Sequence, residues 1–93
     1  MTKSERFKVN ARLMQKFNAV NAYICTYTEY GTWSTFTAFS KPEISVHVEM
    51  NNKSDLVTVK CCGAEKTYDG LTDETIDLYI NILAQVTAVN SEN

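Results

Sequence analysis

The clearest hydrophobic pattern in the chain is a strict alternation of polar and apolar residues over positions 43–50, EISVHVEM. A period of two is typical of a β-strand with one buried and one solvated face. The turn-like residues NNKS follow, and positions 56–62 predict a second strand that returns antiparallel. A register that keeps one apolar face across both strands pairs Val48 with Val57, Val46 with Val59 and Ile44 with Cys61.

Two stretches near the ends of the chain have a helical period instead. The first is predicted to run from Ser4, as N-cap, to about Asn21. Its apolar face consists of Val9, Leu13, Phe17 and Val20, with Phe7 and Met14 beside it. The second is predicted to begin after Thr72 as N-cap, and its first turn carries carboxylates, which the helix dipole favours. Its apolar residues form a broad stripe: Ile76, Tyr79, Ile80, Leu83 and Val86.

Residues 22–40 are rich in Thr, Tyr, Phe and Trp, the residue types that suit a pleated surface. Gly31 divides this segment into a hairpin, and Pro42 ends its second strand. The sequence therefore predicts a single small α+β domain over residues 1–93. Its order is a helix, a four-stranded antiparallel β-meander and a helix, with both helices packed on one face of the sheet.

The register of this first hairpin decides which way its aromatic rings face. A two-residue turn at Tyr30-Gly31 mixes polar and apolar residues on both faces. A three-residue turn with left-handed Gly31 instead pairs Ile24 with Phe36 and Ala22 with Ala38, which gives one apolar face. That register predicts an aromatic face directed away from the helices, and we take it as the partner-binding surface: Tyr23, Tyr27, Tyr30, Trp33, Thr35 and Phe39.

Two alternatives stay open for this surface. Tyr and Thr are common on the solvated face of an antiparallel sheet, where cross-strand pairs support the sheet itself. A register different by one residue would also turn the whole set inward. Trp33 beside an exposed turn favours the binding interpretation, because Trp and Tyr are enriched at binding hot spots.

Composition and charge narrow the class of protein. The chain has 93 residues, 44% hydrophobic and 22% charged, with a net charge of −2, which is typical of a small globular domain. Three cysteines with no C-x-x-C pair, and a polar start to the sequence, favour a reducing, cytoplasmic setting. No apolar run approaches the ~20 residues of a membrane span.

Residues that could carry chemistry are few, and we predict no catalytic group, metal or cofactor. His47 alternates onto the polar face with no serine or cysteine nucleophile at a recognisable position beside it. Cys61 and Cys62 are adjacent strand residues, so their thiols are expected on opposite faces. The carboxylates of Asp73 and Glu74 are explained by the start of a helix.

The remaining feature is a basic first helix, in which Lys8, Arg12 and Lys16 recur every four residues. With the aromatic sheet face, this stripe makes a single-stranded nucleic-acid binder the alternative function. The simpler account is that the basic helix lies near the acidic second helix and the charges compensate.

We therefore predict a non-catalytic intracellular protein that binds another protein through the aromatic sheet face. A second copy of the chain is the other occupant considered for that face. An inhibitor or accessory factor of the kind that phages and mobile elements encode fits this description.

Overall fold

In the part of the chain that the structure describes, five antiparallel strands lie in chain order between two helices. The computed structural model describes residues 1–20, 23–40 and 44–91. Its elements are α1 Lys3–Asn18, β1 Ile24–Glu29, β2 Trp33–Ser40, β3 Ile44–Asn51, β4 Val57–Cys61, β5 Ala64–Tyr68 and α2 Asp73–Ser91. The strand order is β1-β2-β3-β4-β5. The α+β class and the order helix, sheet, helix are confirmed, with five strands rather than four.

The additional strand, β5, follows a tight turn at Cys62 and Gly63. Both residues have positive φ, 54° and 81°, as a two-residue type I′ hairpin turn requires. Residues 64–67 of β5 are exposed, so the strand has no alternation of polar and apolar positions. This absence of a buried face explains why the sequence pattern predicts a loop there.

Both helices cover the same face of the sheet, as predicted, and their buried side chains join one core. The sheet contributes alternate residues of its inner strands, and each helix contributes one row. The core consists of Phe36, Ala38, Val46, Val48, Met50, Val57, Val59 and Cys61 from the strands, of Leu13, Phe17, Ile76, Ile80 and Leu83 from the helices, and of Leu71 from the segment before α2. Thr72 accepts a hydrogen bond from the backbone of Thr75 at the start of α2 (3.2 Å), which confirms it as the N-terminal cap.

Helix α1 is rotated relative to its prediction and starts earlier. Thr2, rather than Ser4, is the N-cap, and it forms a capping box with Glu5. The buried row consists of Arg6, Asn10, Leu13 and Phe17, whereas the predicted face members Phe7 and Val20 are exposed. The rotation follows from a buried ion pair of Arg6 described below. The helix ends at Asn18 with Ala19 as its C-cap, before the predicted end at about Asn21. The predicted partner Ala22 and the strand break at Pro42 lie outside the described residues.

The register between β3 and β4 differs from the prediction by two residues. Val48 lies opposite Val59, Val46 opposite Cys61 and Met50 opposite Val57. Since side chains alternate with a period of two, a shift by an even number leaves every residue on its predicted face. The inner face of these strands is therefore as expected.

Candidate functional site

The register of the β1–β2 hairpin differs from the prediction by three residues, and this inverts the face of β1. Ile24 lies opposite Phe39 and Tyr27 opposite Phe36. The backbone N–H of Tyr30 donates to the carbonyl of Trp33 (2.7 Å), so Gly31 and Thr32 form the turn. Among the described glycines, φ is positive only at positions 63 and 70. The predicted left-handed Gly31 is therefore wrong.

Tyr23 and Tyr27 consequently face the helices, and their predicted placement on the open face is wrong. The ring of Tyr23 packs edge-on against Phe17 with centroids 5.6 Å apart, and its hydroxyl donates to the carbonyl of Ile80 (3.3 Å). The ring of Tyr27 lies 5.7 Å from that of Phe7. Burial raises the pKa of both tyrosines. The reason for the error is that an odd register shift exchanges the two faces of a strand.

Trp33, Thr35 and Phe39 do lie on the face opposite the helices, which we call the open face. The register brings Ile24, Thr26 and Thr28 of β1 onto this face beside them. Trp33 stacks on Tyr30 with centroids 4.0 Å apart and an interplanar angle of 13°. Both rings stay accessible, at 39% and 44% exposure. We call this pair the Tyr30–Trp33 stack.

A concave site of about 580 Å³ lies beside the stack on the open face. Trp33 and Leu56 are the exposed large apolar side chains that line it. Glu49, Thr58 and Thr67 also line it, and since they occupy one cross-strand row, they form its polar floor. The lining of this site, the open-face groove, is mainly polar, with Trp33 and Leu56 as its exposed apolar part.

A row of polar side chains crosses the open face next to the groove. Thr37 Oγ1 lies 2.8 Å from His47 Nδ1, and His47 Nε2 lies 3.5 Å from Glu49 Oε1. Lys60 Nζ contacts the same Glu49 oxygen at 3.1 Å. The Thr37 hydroxyl beside His47 was not anticipated from the sequence, because the two residues are ten positions apart and only the β2–β3 register joins them.

Within this row, only the contact between Thr37 and His47 resembles the pairing of a nucleophile with a general base. An acyl-transfer site also requires backbone N–H groups aimed at the developing oxyanion. Thr37 and His47 lie on β2 and β3, inner strands whose neighbours on both sides engage their backbone groups. Glu49 is also neutralised by Lys60. We therefore interpret the row as cross-strand support of the sheet surface.

The basic residues of α1 do not form a free stripe. Arg12 Nε lies 2.8 Å from Asp73 Oδ1, and Lys16 Nζ lies 3.3 Å from Asp77 Oδ1. The expected compensation by the acidic second helix is confirmed for these two residues. Lys8 is exposed. The helices lie on the opposite side of the sheet from the Tyr30–Trp33 stack, so Lys8, Arg12 and Lys16 do not share one surface with the stack.

The thiols of Cys61 and Cys62 lie together, and their predicted placement on opposite faces is wrong. Their sulfur atoms are 3.4 Å apart, because Cys62 leaves the strand with a φ of 54°. Cys61 is buried and Cys62 is exposed. Burial, and then the neighbouring Cys62 thiol, raise the pKa of Cys61 to about 12. Within the described residues, no three His, Cys, Asp or Glu side chains form a metal-binding cluster.

This difference predicts selective alkylation. In folded protein treated with iodoacetamide at pH 8, Cys62 is expected to react and Cys61 to stay protected, because the reactive species is the thiolate and Cys61 is both buried and protonated. Peptide mass mapping measures the two adducts. The same treatment in urea is the control and should label both thiols. Equal labelling of the two residues in the folded protein would contradict this description of Cys61.

Comparison of the chain with protein-family models, with curated proteins and with solved structures finds no match in any of the three. Within the part of the chain that the structure describes, neither helix is long and apolar enough to cross a membrane.

Proposed function

We propose that this protein is a non-catalytic binding protein that captures another protein through the Tyr30–Trp33 stack and the open-face groove. The observation that carries the proposal is a stacked, accessible Tyr–Trp pair beside a concave site on a sheet face with no described element over it. Trp and Tyr dominate binding hot spots because they bury a large area at a small cost in side-chain entropy.

The shape of the groove favours a partner that inserts a side chain. Trp33 and Leu56 supply apolar surface, and the floor supplies hydroxyl and carboxylate groups that fix orientation. The threonines of the open face, Thr26, Thr28, Thr35 and Thr37, form a polar surround on β1 and β2. This arrangement of an apolar centre with a polar rim is the usual anatomy of a protein interface.

An intracellular inhibitor or accessory factor is the role that this surface fits. Such a protein requires only a stable scaffold and one complementary patch, because it acts by occupying a site on its target. The groove and the stack meet that requirement without any reactive group.

The proposal is tested by replacing Tyr30 and Trp33 together with alanine. Capture of protein from nuclease-treated lysate, read by mass spectrometry, identifies the partner of the wild type, and titration with that purified partner measures affinity. The double variant should bind at least about 30-fold more weakly, since hot-spot residues each contribute roughly 2 kcal/mol or more. Loss of the stack should cost only about 0.5–1.5 kcal/mol of stability.

The matched control is Leu78→Ala, which removes an exposed apolar side chain of α2 on the other side of the sheet. Binding lost equally in this control would place the interface elsewhere and contradict the proposal. Capture of nucleic acid instead, with an affinity that falls steeply with salt and depends on Lys8, would support the alternative function.

A further inference from the structure

Strand β1 forms an edge of the sheet, and its sequence lacks the features that protect edges. β1 is the outermost strand and pairs only with β2 among the described residues. Edge strands are usually protected by charged residues, proline or a bulge. The other edge, β5, carries Glu65 and Lys66 at its centre, whereas β1, ICTYTE, has no charge before its last residue. We propose that two copies of the chain pair through β1, antiparallel, into one continuous sheet.

The backbone of β1 is oriented for this pairing. Tyr30 N–H donates to Trp33 across the hairpin, and hydrogen-bonding direction alternates along an antiparallel strand. Even-numbered residues of β1 therefore bond to β2, and odd-numbered residues direct their N–H and C=O groups to the open edge. A second strand would satisfy these groups at Cys25 and Tyr27.

We place the two-fold axis through Thr26, which pairs residues 24–28 of the two copies. It places Cys25 opposite Tyr27 of the second copy, so each pair exchanges two hydrogen bonds through the outward groups. It also places Ile24 opposite Thr28 of the second copy on the open face. This contact covers part of the Ile24 side chain, which is 56% exposed in the single chain. Residues of the two copies stay on matching faces, and both helical layers lie on the same side.

Helix α1 adds a second contact with the same symmetry. Phe7 packs on Tyr27 and Phe17 packs on Tyr23, so α1 runs along β1 in the reverse direction. Arg12 and Lys16 face α2, and helical spacing therefore puts Phe7, Ala11 and Met14 on the opposite side, above the open edge. Phe7 is 45% exposed there.

A second copy fits this surface better than an isolated strand from another protein. The two-fold axis brings α1 antiparallel to α1 of the second copy. The edge-facing side of α1, with Phe7, Ala11 and Met14, then faces the same side of α1 in the second copy. An isolated strand would occupy the backbone groups but leave Phe7 and Met14 uncovered. The strand and the helix face are thus self-complementary about one axis, as an isologous interface requires.

The test uses the full chain, whose single copy has a mass of 10.5 kDa, in sedimentation equilibrium. The wild type should dimerise. Thr26→Lys places two ammonium groups directly opposite each other and should raise the dimer dissociation constant about fivefold or more. Thr26→Glu should do the same. An equimolar mixture of the two variants should recover association as a heterodimer. Thr67→Lys, on the open face of β5, is the matched control and should dimerise like the wild type.

A cross-link fixes the register. In a Cys62→Ser background, Thr26→Cys should form a disulfide-linked dimer on mild oxidation, because opposed residues of a non-hydrogen-bonded pair have Cα atoms about 4.5 Å apart. Thr28→Cys lies on the same face but away from the axis and should not cross-link. A wild type that stays monomeric at roughly millimolar concentration would overturn the proposal. So would a dimer that Thr26→Lys leaves intact or that Thr67→Lys disrupts.

Discussion

Replacing Arg6 with methionine is expected to lower the free energy of unfolding by about 3–5 kcal/mol, the usual cost of removing one partner from a buried ion pair. The Arg6 side chain is only 1% exposed and Glu29 is 16% exposed. Arg6 Nε donates to Glu29 (3.1 Å) and its guanidinium also donates to the carbonyl of Met1 (3.1 Å). The variant would leave the Glu29 carboxylate largely buried, and among the described residues only the Tyr27 hydroxyl would still donate to it. Urea denaturation measures the loss.

Arg12→Met is the matched control, because Arg12 forms an ion pair of similar geometry with Asp73 on the surface. Exposed pairs are worth at most about 1 kcal/mol. Adding Glu29→Gln to each arginine variant completes the comparison. The second change should recover part of the lost stability after Arg6→Met, because it removes the unpaired buried charge, and should be costly in the wild type and in Arg12→Met. Equal losses for Arg6→Met and Arg12→Met would contradict the assignment of Arg6 as a buried structural partner.

The same pair makes an acid-dependent contribution to stability. The hydrogen bond from Arg6 holds the pKa of Glu29 below its usual range, so the folded state favours the carboxylate. This contribution is complete above the ordinary glutamate pKa of about 4.3 and is lost as pH falls through the lowered folded value. In Arg6→Met, stability should therefore fall less steeply with acid than in the wild type.

The parts of the fold that could be predicted from sequence are those with a sustained period. The alternation over 43–50 and the apolar stripe of α2 each bury one face, and burial of that face determines the structure. Even the error in the β3–β4 register changed no face, because it was a shift of two residues. Thr72 as a cap was equally predictable, since capping is a local interaction.

The sequence pattern did not show which face of β1 is buried, because each face carries residues that could pack against the helices. One face carries Tyr23 and Tyr27, and the other carries Ile24 among threonines. Contact with α1 determines which face is buried: Tyr23 packs against Phe17, and Glu29 forms an ion pair with Arg6. The sequence signal for this orientation was the pair of Arg6 on the helix and Glu29 on the strand. A hydrophobic pattern does not reveal it, because charged residues are assigned to the solvated face.

Only part of the candidate site was predictable, for the same reason. Trp33, Thr35 and Phe39 were placed correctly because β2 alternates clearly and its inner residues Phe36 and Ala38 are apolar. The Leu56 side of the groove depends on the loop before β4, and the approach of the Cys61 and Cys62 thiols depends on a left-handed residue other than glycine. Neither feature has a local sequence signal.

Raising the pH above about 9 is expected to destabilise the folded protein steeply. Burial raises the pKa of Cys61 to about 12 and also raises the pKa of Cys25. The pKa of Tyr79 is raised as well, by burial and by its hydrogen bond to Tyr68 (2.9 Å). In the unfolded chain, thiols and phenols lose their protons near their ordinary values of about 8.5 and 10. The folded state retains those protons, so the unfolded state is favoured as pH rises.

The expected slope is up to about 1.4 kcal/mol per pH unit for each group, between its ordinary pKa and its raised value. Cys61→Val keeps a small apolar side chain and removes the titrating thiol, and Tyr79→Phe removes the hydroxyl that contacts Tyr68. Each variant should lose stability less steeply between pH 9 and pH 11 than the wild type, measured by urea denaturation across that range. Cys62→Ser is the comparison variant: it removes the neighbouring thiol but leaves Cys61 buried, which is the larger cause of the raised Cys61 pKa, so its slope should stay steeper than that of Cys61→Val. If Cys61→Val matches the wild type, the Cys61 thiol does not remain protonated in the folded core.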